Sequence, residues 1–266
     1  MTRPLAILTG ASSGIGAALA PRLARDGWDL VLVARRESLL QDLAARIARE
    51  VPGARAEAFA LDLLAPGAAA KLVERAPAAK LVVNNAGFGV FQRALEADDE
   101  TYRRMIALNS TVLCDVTLAF ARRMAAGGGG TVFNVASTAA FQAMPFASVY
   151  AATKSFVVSM SEGLDFELRD RGVRVLSFCP GPTETEFIQV AGVSAEQAAK
   201  GKAFFQSADA VAESAARAIR RGKETAIPGF LNNVLYYATK LFPRKLVRWF
   251  TGVMFKPPAP KGPGAG

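Results

Sequence analysis

The sequence predicts an α/β protein built on one doubly wound, parallel sheet, and three observations carry that expectation. Short apolar runs recur along the chain, and the segments between them place apolar residues at the three- and four-residue spacing of helices lying on a sheet. Residues within the runs are apolar in succession, so both faces of each strand are covered, as in a parallel sheet with right-handed crossovers. A chain of 266 residues, 51% of them hydrophobic, suffices for one substantial core, so a single domain is expected over residues 1–256.

In chain order, Leu5 to Leu8 is the first run, followed by a glycine-rich turn and the helical segment AALAPRLARDG, which stops near Gly27. Leu30 to Val33 is the second run, and Glu37 to Glu50 has helical periodicity. Ala56 to Leu61, Leu81 to Val83 and Val132 to Val135 supply three more strands, with Gly127 to Gly130 as a loop before the last of them. Ser148 to Arg169 reads as a long helix, Val173 to Phe178 as a sixth strand and Thr225 to Ile227 as a weak seventh. Residues 183–206 form a long connection, expected to act as a lid. A C-terminal extension over 232–255 reads as two short helices separated by Pro243, and the Pro- and Gly-rich residues 257–266 as a disordered tail.

Composition excludes several chemistries. With no histidine in the chain, Ser-His-Asp triads, Cys-His dyads and the commonest zinc ligand are all removed, so proton transfer must use Tyr, Lys, Asp, Glu or Cys. Cys114 and Cys179 sit in apolar stretches without CxxC spacing, which predicts neither a disulfide framework nor a metal site and suits a reducing compartment. The formal charge of +9 comes from cations scattered over many segments, read as solvated helix faces and not as a nucleic-acid stripe. No run reaches the ~18 to 20 apolar residues of a membrane span, and the N-terminal run is too short for a secretory signal. A cytoplasmic protein without a transmembrane segment is expected.

A doubly wound sheet binds its ligand beyond the carboxyl ends of the strands, and the informative residues fall there. After the first strand comes Thr9-Gly10-Ala11-Ser12-Ser13-Gly14-Ile15-Gly16, opening into a helix. Glycines permit a tight turn and close approach of backbone N–H groups to a pyrophosphate, which the positive end of the helix also attracts. An ordinary strand-to-helix turn is the bland alternative, against which the preceding strand, the following helix and the serine pair weigh together. At the end of the second strand, where a carboxylate usually binds the ribose 2′-hydroxyl, the chain has Arg35 and Arg36. Cations just before a helix oppose its dipole unless an anion is bound, and a 2′-phosphate is such an anion, so NADP(H) is expected over NAD(H).

Tyr150 and Lys154, one helical turn apart, project from one face near the start of their helix. An ammonium beside a phenol is expected to lower its pKa from about 10 and fit Tyr150 for acid/base work. Ser137, at the end of the fifth strand, can face the same crevice and bind a substrate oxygen. A packing tyrosine beside a solvated lysine would explain the pair alone, but not the triplet.

The glycine spacing TGxxxGxG and the series Ser137, Tyr150, Lys154, spaced S-x12-Y-x3-K, resemble the short-chain dehydrogenase/reductase family, and the matching motifs run from residue 9 to residue 183. The resemblance implies a Rossmann-type fold and hydride transfer between a nicotinamide and a carbonyl or alcohol carbon. It implies that Gly10, Ser12, Ser13, Gly14, Ile15 and Gly16 cradle the cofactor, that Asp62 meets the adenine, and that Asn85, Ala86 and Gly87, after Asn84, line the adenosine ribose. Asn109 would hold a water connecting Lys154 to solvent. Pro180, Gly181 and Thr183 would meet the nicotinamide amide, Tyr150 and Lys154 would also touch the cofactor, and a homodimer or homotetramer is implied.

Phe141, Met144, Phe146, Phe187, Ile188, Phe204 and Phe205 cluster around these motifs, which reads equally as an apolar substrate crevice or as packing. The C-terminal extension, with Lys240, Arg244, Lys245 and Arg248 among its apolar residues, reads as a cover over the pocket or a subunit contact, with peripheral contact to an anionic membrane as the alternative. A reductase of a hydrophobic ketone or 3-oxoacyl substrate is the function expected. A non-catalytic NADP sensor or scaffold with the same fold is the competing class, and the intact Asn109, Ser137, Tyr150 and Lys154 weigh against it.

Overall fold

A computed structural model describes residues 2–192 and 205–257. The seven expected strands form almost where the apolar runs lie: β1 (Leu5–Thr9), β2 (Asp29–Ala34), β3 (Ala56–Ala60), β4 (Leu81–Asn84), β5 (Gly130–Val135), β6 (Val173–Phe178) and β9 (Thr225–Ala226); two short strands, β7 (Thr183–Glu184) and β8 (Gln206–Ser207), were not expected and form at the ends of the long connection. Seven of them make one sheet in the order β3-β2-β1-β4-β5-β6-β9, with every pairing parallel. β7 and β8 pair separately at the carboxyl end of β6. Strand order reverses between β1 and β4, which opens a crevice beyond their carboxyl ends.

The connecting helices are α1 (Gly14–Arg25), α2 (Glu37–Glu50), α3 (Ala68–Arg75), α4 (Asp99–Ile106), α5 (Leu113–Ala126), α6 (Ser148–Leu168), α7 (Glu186–Val190), α8 (Ala208–Arg221), α9 (Phe230–Leu241) and α10 (Arg244–Met254). Because successive strand side chains point to opposite faces, β1 gives Leu8 to one core and Ile7 to the other. On the first face Leu8, Leu32, Phe133 and Phe178 pack with Leu19 and Leu23 of α1, Leu40 of α2 and Val211 of α8. On the second, Ile7, Val82, Val132 and Val175 meet Leu72 of α3 and Phe120 and Met124 of α5. Deleting one such buried side chain to alanine typically costs about 2–5 kcal/mol, so the frame beneath the crevice is stiff.

α4 continues into α5 through a π-helical segment, Ala107–Val112, and the joined stretch Asp99–Ala126 runs for 28 residues. Against the expectation of no membrane-length run, this stretch is long and apolar enough by length and composition. Its apolar residues Val116, Phe120 and Met124 are spent on the sheet, which identifies it as a core helix. α9 and α10 form the two expected C-terminal helices, and the step between them falls at Phe242-Pro243. Part of the lid expected over 183–206, including Phe204, and nearly all of the tail expected over 257–266 lie outside the described residues.

Candidate active site

The glycine turn is fixed from beneath by Thr9. Its Oγ1 donates to the Val83 carbonyl at 3.2 Å and accepts from the backbone N–H groups of Asn85 at 3.0 Å and Ala86 at 3.1 Å. The Asn85 Nδ2 donates to the carbonyls of Thr9 at 3.0 Å and Gly10 at 3.1 Å, tying the end of β4 to the turn. Gly10 has φ +66°, and a Cβ there would stand 2.8 Å from the Asn85 amide nitrogen. At Gly16 a Cβ would collide with the Gly10 carbonyl and approach the same amide. These glycines are therefore required by how closely the turn, α1 and Asn85 approach one another. Ser13, the N-cap of α1, makes no side-chain cap hydrogen bond, so the first-turn N–H groups face the crevice without that partner.

Arg35 and Arg36 lie exposed at the end of β2. Arg36 donates to the Ser12 Oγ at 3.3 Å and to the Glu186 Oε2 at 2.9 Å. That hydrogen bond and the guanidinium charge hold the Glu186 carboxyl below its usual range. Among the described residues Arg35 has no ion pair. Asp62 accepts from the Leu64 backbone N–H at 3.0 Å and borders the same crevice.

On the other side of the crevice, Tyr150 and Lys154 are both buried, 6% and 5% exposed. Ser137 accepts from the Ala139 backbone N–H at 3.1 Å, donates to the Pro180 carbonyl at 3.4 Å, and stands close enough to the Tyr150 hydroxyl to lower its pKa. The Lys154 Nζ donates to the Val135 carbonyl at 2.9 Å and stands 5.8 Å from the centroid of the Tyr150 ring. Here the electrostatic expectation needs correction. Burial pushes the Tyr150 phenol up to about 12, against the lowering effect of the Ser137 hydroxyl, and burial pulls the Lys154 ammonium down to about 8. Desolvation outweighs the attraction expected from spacing alone, because Lys154 is drawn onto a strand carbonyl instead of the phenol. Cys179, buried nearby, is likewise raised to about 12 by desolvation and is a poor nucleophile near neutral pH.

Nearly all the expected site residues border one cleft of about 1080 Å³: Gly10, Ser12, Ser13, Gly14 and Ile15, Arg35 and Arg36, Asp62, Asn85, Ala86 and Gly87, Ser137, Tyr150 and Lys154, and Pro180, Gly181 and Thr183. Gly16 and Asn109 do not border it. Gly16 is a packing position behind the turn, and Asn109 is fully buried in the π-helical segment. The Asn109 Nδ2 donates to the Phe88 carbonyl at 2.9 Å and to the Thr153 Oγ1 at 3.2 Å, while its Oδ1 accepts from the Phe88 N–H at 3.2 Å. The side chain thus fixes the backbone after β4 against α6, a positioning role. Asn85 also positions, since its amide hydrogens go to Thr9 and Gly10.

Sequence reasoning missed Phe91, the residue that joins the aromatic wall beside the phenol. Phe91 lies 5.5 Å from Tyr150 and 6.5 Å from Phe187, centroid to centroid, and 6.3 Å from Phe255. Phe141, Met144, Phe187, Ile188 and Phe205 border the cleft as expected, whereas Phe146 does not. Phe146 instead carries a positive φ of 68° in the loop before α6, a conformation uncommon for a bulky residue. α9 and α10 close the apolar end of the cleft with Tyr236, Leu246, Phe250 and Met254, so the C-terminal extension does cover the pocket. Among the described residues no His/Cys/Asp/Glu group is arranged to hold a metal, and Cys114 and Cys179 are free.

The arrangement also matches known proteins. Residues 4–196 match the family model for short chain dehydrogenases. Sulfoacetaldehyde reductase 2 of Chromohalobacter salexigens is 34% identical over 221 residues, which are 81% of this chain and 86% of that protein. The solved short-chain dehydrogenase from Sphingobium yanoikuyae in complex with NADPH superimposes with a TM-score of 0.80 at 32% identity, over 99% of this chain and 98% of that one. The bulky-bulky ketone specific alcohol dehydrogenase from Comamonas testosteroni gives a TM-score of 0.77 at 26% identity, over 100% of this chain and 98% of that one.

Proposed function

This chain belongs to the short-chain dehydrogenase family, and from that premise we propose that it is an NADP(H)-dependent reductase of a hydrophobic ketone or 3-oxoacyl compound, with Tyr150 as the acid/base. The observation that carries the reading is one cleft whose two ends differ in chemistry. One end has the glycine turn, the uncapped start of α1 and the two arginines; the other has a buried phenol walled by Phe91, Phe187 and Phe255. The residues fit the cofactor: positive φ at Gly10 and Gly14 opens backbone against the crevice, and Arg35, which has no ion pair among the described residues, is an exposed cation where a 2′-phosphate would lie. The Sphingobium relative, solved with NADPH, supports the same choice.

When bound, NADPH supplies the hydride; the chain supplies position and the proton. Ser137 orients a carbonyl oxygen beside the Tyr150 hydroxyl, and Tyr150 donates its proton to that oxygen as the carbonyl carbon is reduced. With its phenol raised to about 12, Tyr150 is fully protonated at neutral pH, the state that reduction requires. Lys154, held by the Val135 carbonyl, keeps a positive charge near the phenolate that is left. Apolar walls exclude water and select an apolar substrate.

The test is NADPH consumption against short ketones, bulky aromatic ketones, steroids, quinones and acyl thioesters. Turnover confined to bulky apolar carbonyls, with NADPH strongly preferred over NADH, is the expected result. NADPH binding without turnover on any carbonyl would favour the sensor reading.

A further inference from the structure

The two C-terminal helices do more than close the cleft. On α9, Phe230, Val234, Tyr237 and Leu241 follow one another at four, three and four residues, one stripe of the helix, and none of them borders the cleft. They are nevertheless exposed, Phe230 at 86% and Leu241 at 82%. On α10, Leu246, Trp249, Phe250 and Val253 repeat the pattern at three, one and three residues, and Trp249 is 65% exposed. A monomer rarely shows water so many large apolar side chains on two consecutive helices.

The charges interleaved with these stripes indicate what covers them. Between residues 230 and 257 the chain carries Lys240, Arg244, Lys245, Arg248 and Lys256 and no Asp or Glu. All five cations are exposed, and among the described residues none has an ion pair. Lys240 lies over the Tyr236 ring at 4.4 Å, and helices with apolar Trp, Phe and Leu beside exposed Lys and Arg suit an interface that is apolar within and anionic at its rim. A second copy of the chain meeting this face through a two-fold contact would instead set like charges against like.

We propose that α9 and α10 dock this protein on an anionic lipid surface, with the apolar end of the cleft at the contact. Leu246, Trp249 and Phe250 are both exposed and part of the cleft wall, so the lipid-facing surface and the substrate crevice are continuous there. This deepens the reductase reading, and rests on it only in saying what enters: a lipophilic carbonyl compound partitioned in the bilayer rather than one free in water.

Flotation of the full-length protein with vesicles tests the proposal. One set is phosphatidylcholine alone, and the other has equal parts of phosphatidylcholine and phosphatidylserine. The protein is expected to float with the anionic vesicles and to be released at about 1 M salt, where charges are screened within about 3 Å. Arg244→Gln/Lys245→Gln, which touches neither packing nor the cleft, is expected to lower anionic-vesicle partitioning about 30-fold, each cation near such a surface being worth about 1 kcal/mol. Tyr237→Ser/Leu241→Ser should lower it as well, with circular dichroism unchanged. Equal partitioning on both vesicle types, or no flotation on either, overturns the proposal. So does a dimer, measured by sedimentation velocity, that dissociates in the Tyr237→Ser/Leu241→Ser protein while vesicles go unbound. Reduction of a water-soluble ketone in vesicle-free buffer reads the active site separately, so failure of docking is distinguishable from failure of the enzymatic assignment.

Discussion

Raising the pH through the range in which Lys154 loses its proton should cut reduction while leaving Tyr150 unchanged. With Lys154 at about 8 and Tyr150 at about 12, only the lysine titrates between neutrality and pH 10. A group with a pKa near 8 is about nine-tenths protonated at pH 7 and about one-tenth at pH 9, so kcat/KM for reduction should be level below pH 7 and fall about tenfold by pH 9. The same burial has a consequence for stability of opposite sign. Between pH 8 and 10.5 the unfolded lysine holds a proton that the folded one has lost, so the unfolded state binds more protons and stability rises with pH across that window. The depression from 10.5 to about 8 corresponds to at most about 3 kcal/mol of cost for carrying the buried cation near neutrality. Lys154→Met should therefore abolish turnover yet raise Tm at pH 7, and should flatten the alkaline rise in stability. Steady-state kinetics against pH and thermal denaturation of both proteins are the assays. A kcat/KM that stays level to pH 10, or a Lys154→Met protein less stable than wild type at pH 7, would refute the reasoning.

Two further outcomes follow from the cofactor end of the cleft. Arg35→Ala/Arg36→Ala should weaken NADPH binding at least tenfold more than NADH binding, measured by nicotinamide fluorescence, because charge-assisted contacts to phosphate are worth about 1.5–3 kcal/mol. An equal loss for the two cofactors would remove the 2′-phosphate assignment. Gly16→Ala should displace the Gly10 carbonyl and the Asn85 amide together, lowering stability by about 1–3 kcal/mol and weakening both cofactors alike; unchanged binding and denaturation midpoint would show that the turn yields to a Cβ.

The frame was legible because parallel strands covered on both faces leave unbroken apolar runs. Val173–Phe178 and Ser148–Leu168 fall within a residue of where those patterns put them. Cleft residues were legible for the same reason, since they follow directly after strands whose ends the runs fix. What stayed hidden depends on side chains meeting across the fold. The Arg36–Glu186 pair joins residues 150 apart, and Phe91 reaches Tyr150 from a loop with no periodicity. Asn84, which looks like one more polar turn residue, is buried in a network with Thr117 and Asn134 that no spacing announces. The helix spacing correctly put Lys154 beside Tyr150, but it could not show that the Val135 carbonyl would claim the ammonium. No spacing puts Asn109 in a π-helical segment that turns it toward the Phe88 backbone.

The central claim is that the phenol of Tyr150 hands its proton to the carbonyl oxygen being reduced. Single-turnover reduction of a bulky apolar ketone with NADPH carrying deuterium at the reactive carbon tests it most directly, run on wild type and on Tyr150→Phe. The account predicts deuterium on the carbinol carbon in wild type, and at least a thousandfold slower transfer in Tyr150→Phe with NADPH affinity within about threefold, since general acid catalysis and lost oxygen stabilisation act together. Transfer in the phenylalanine protein within tenfold of wild type would contradict it.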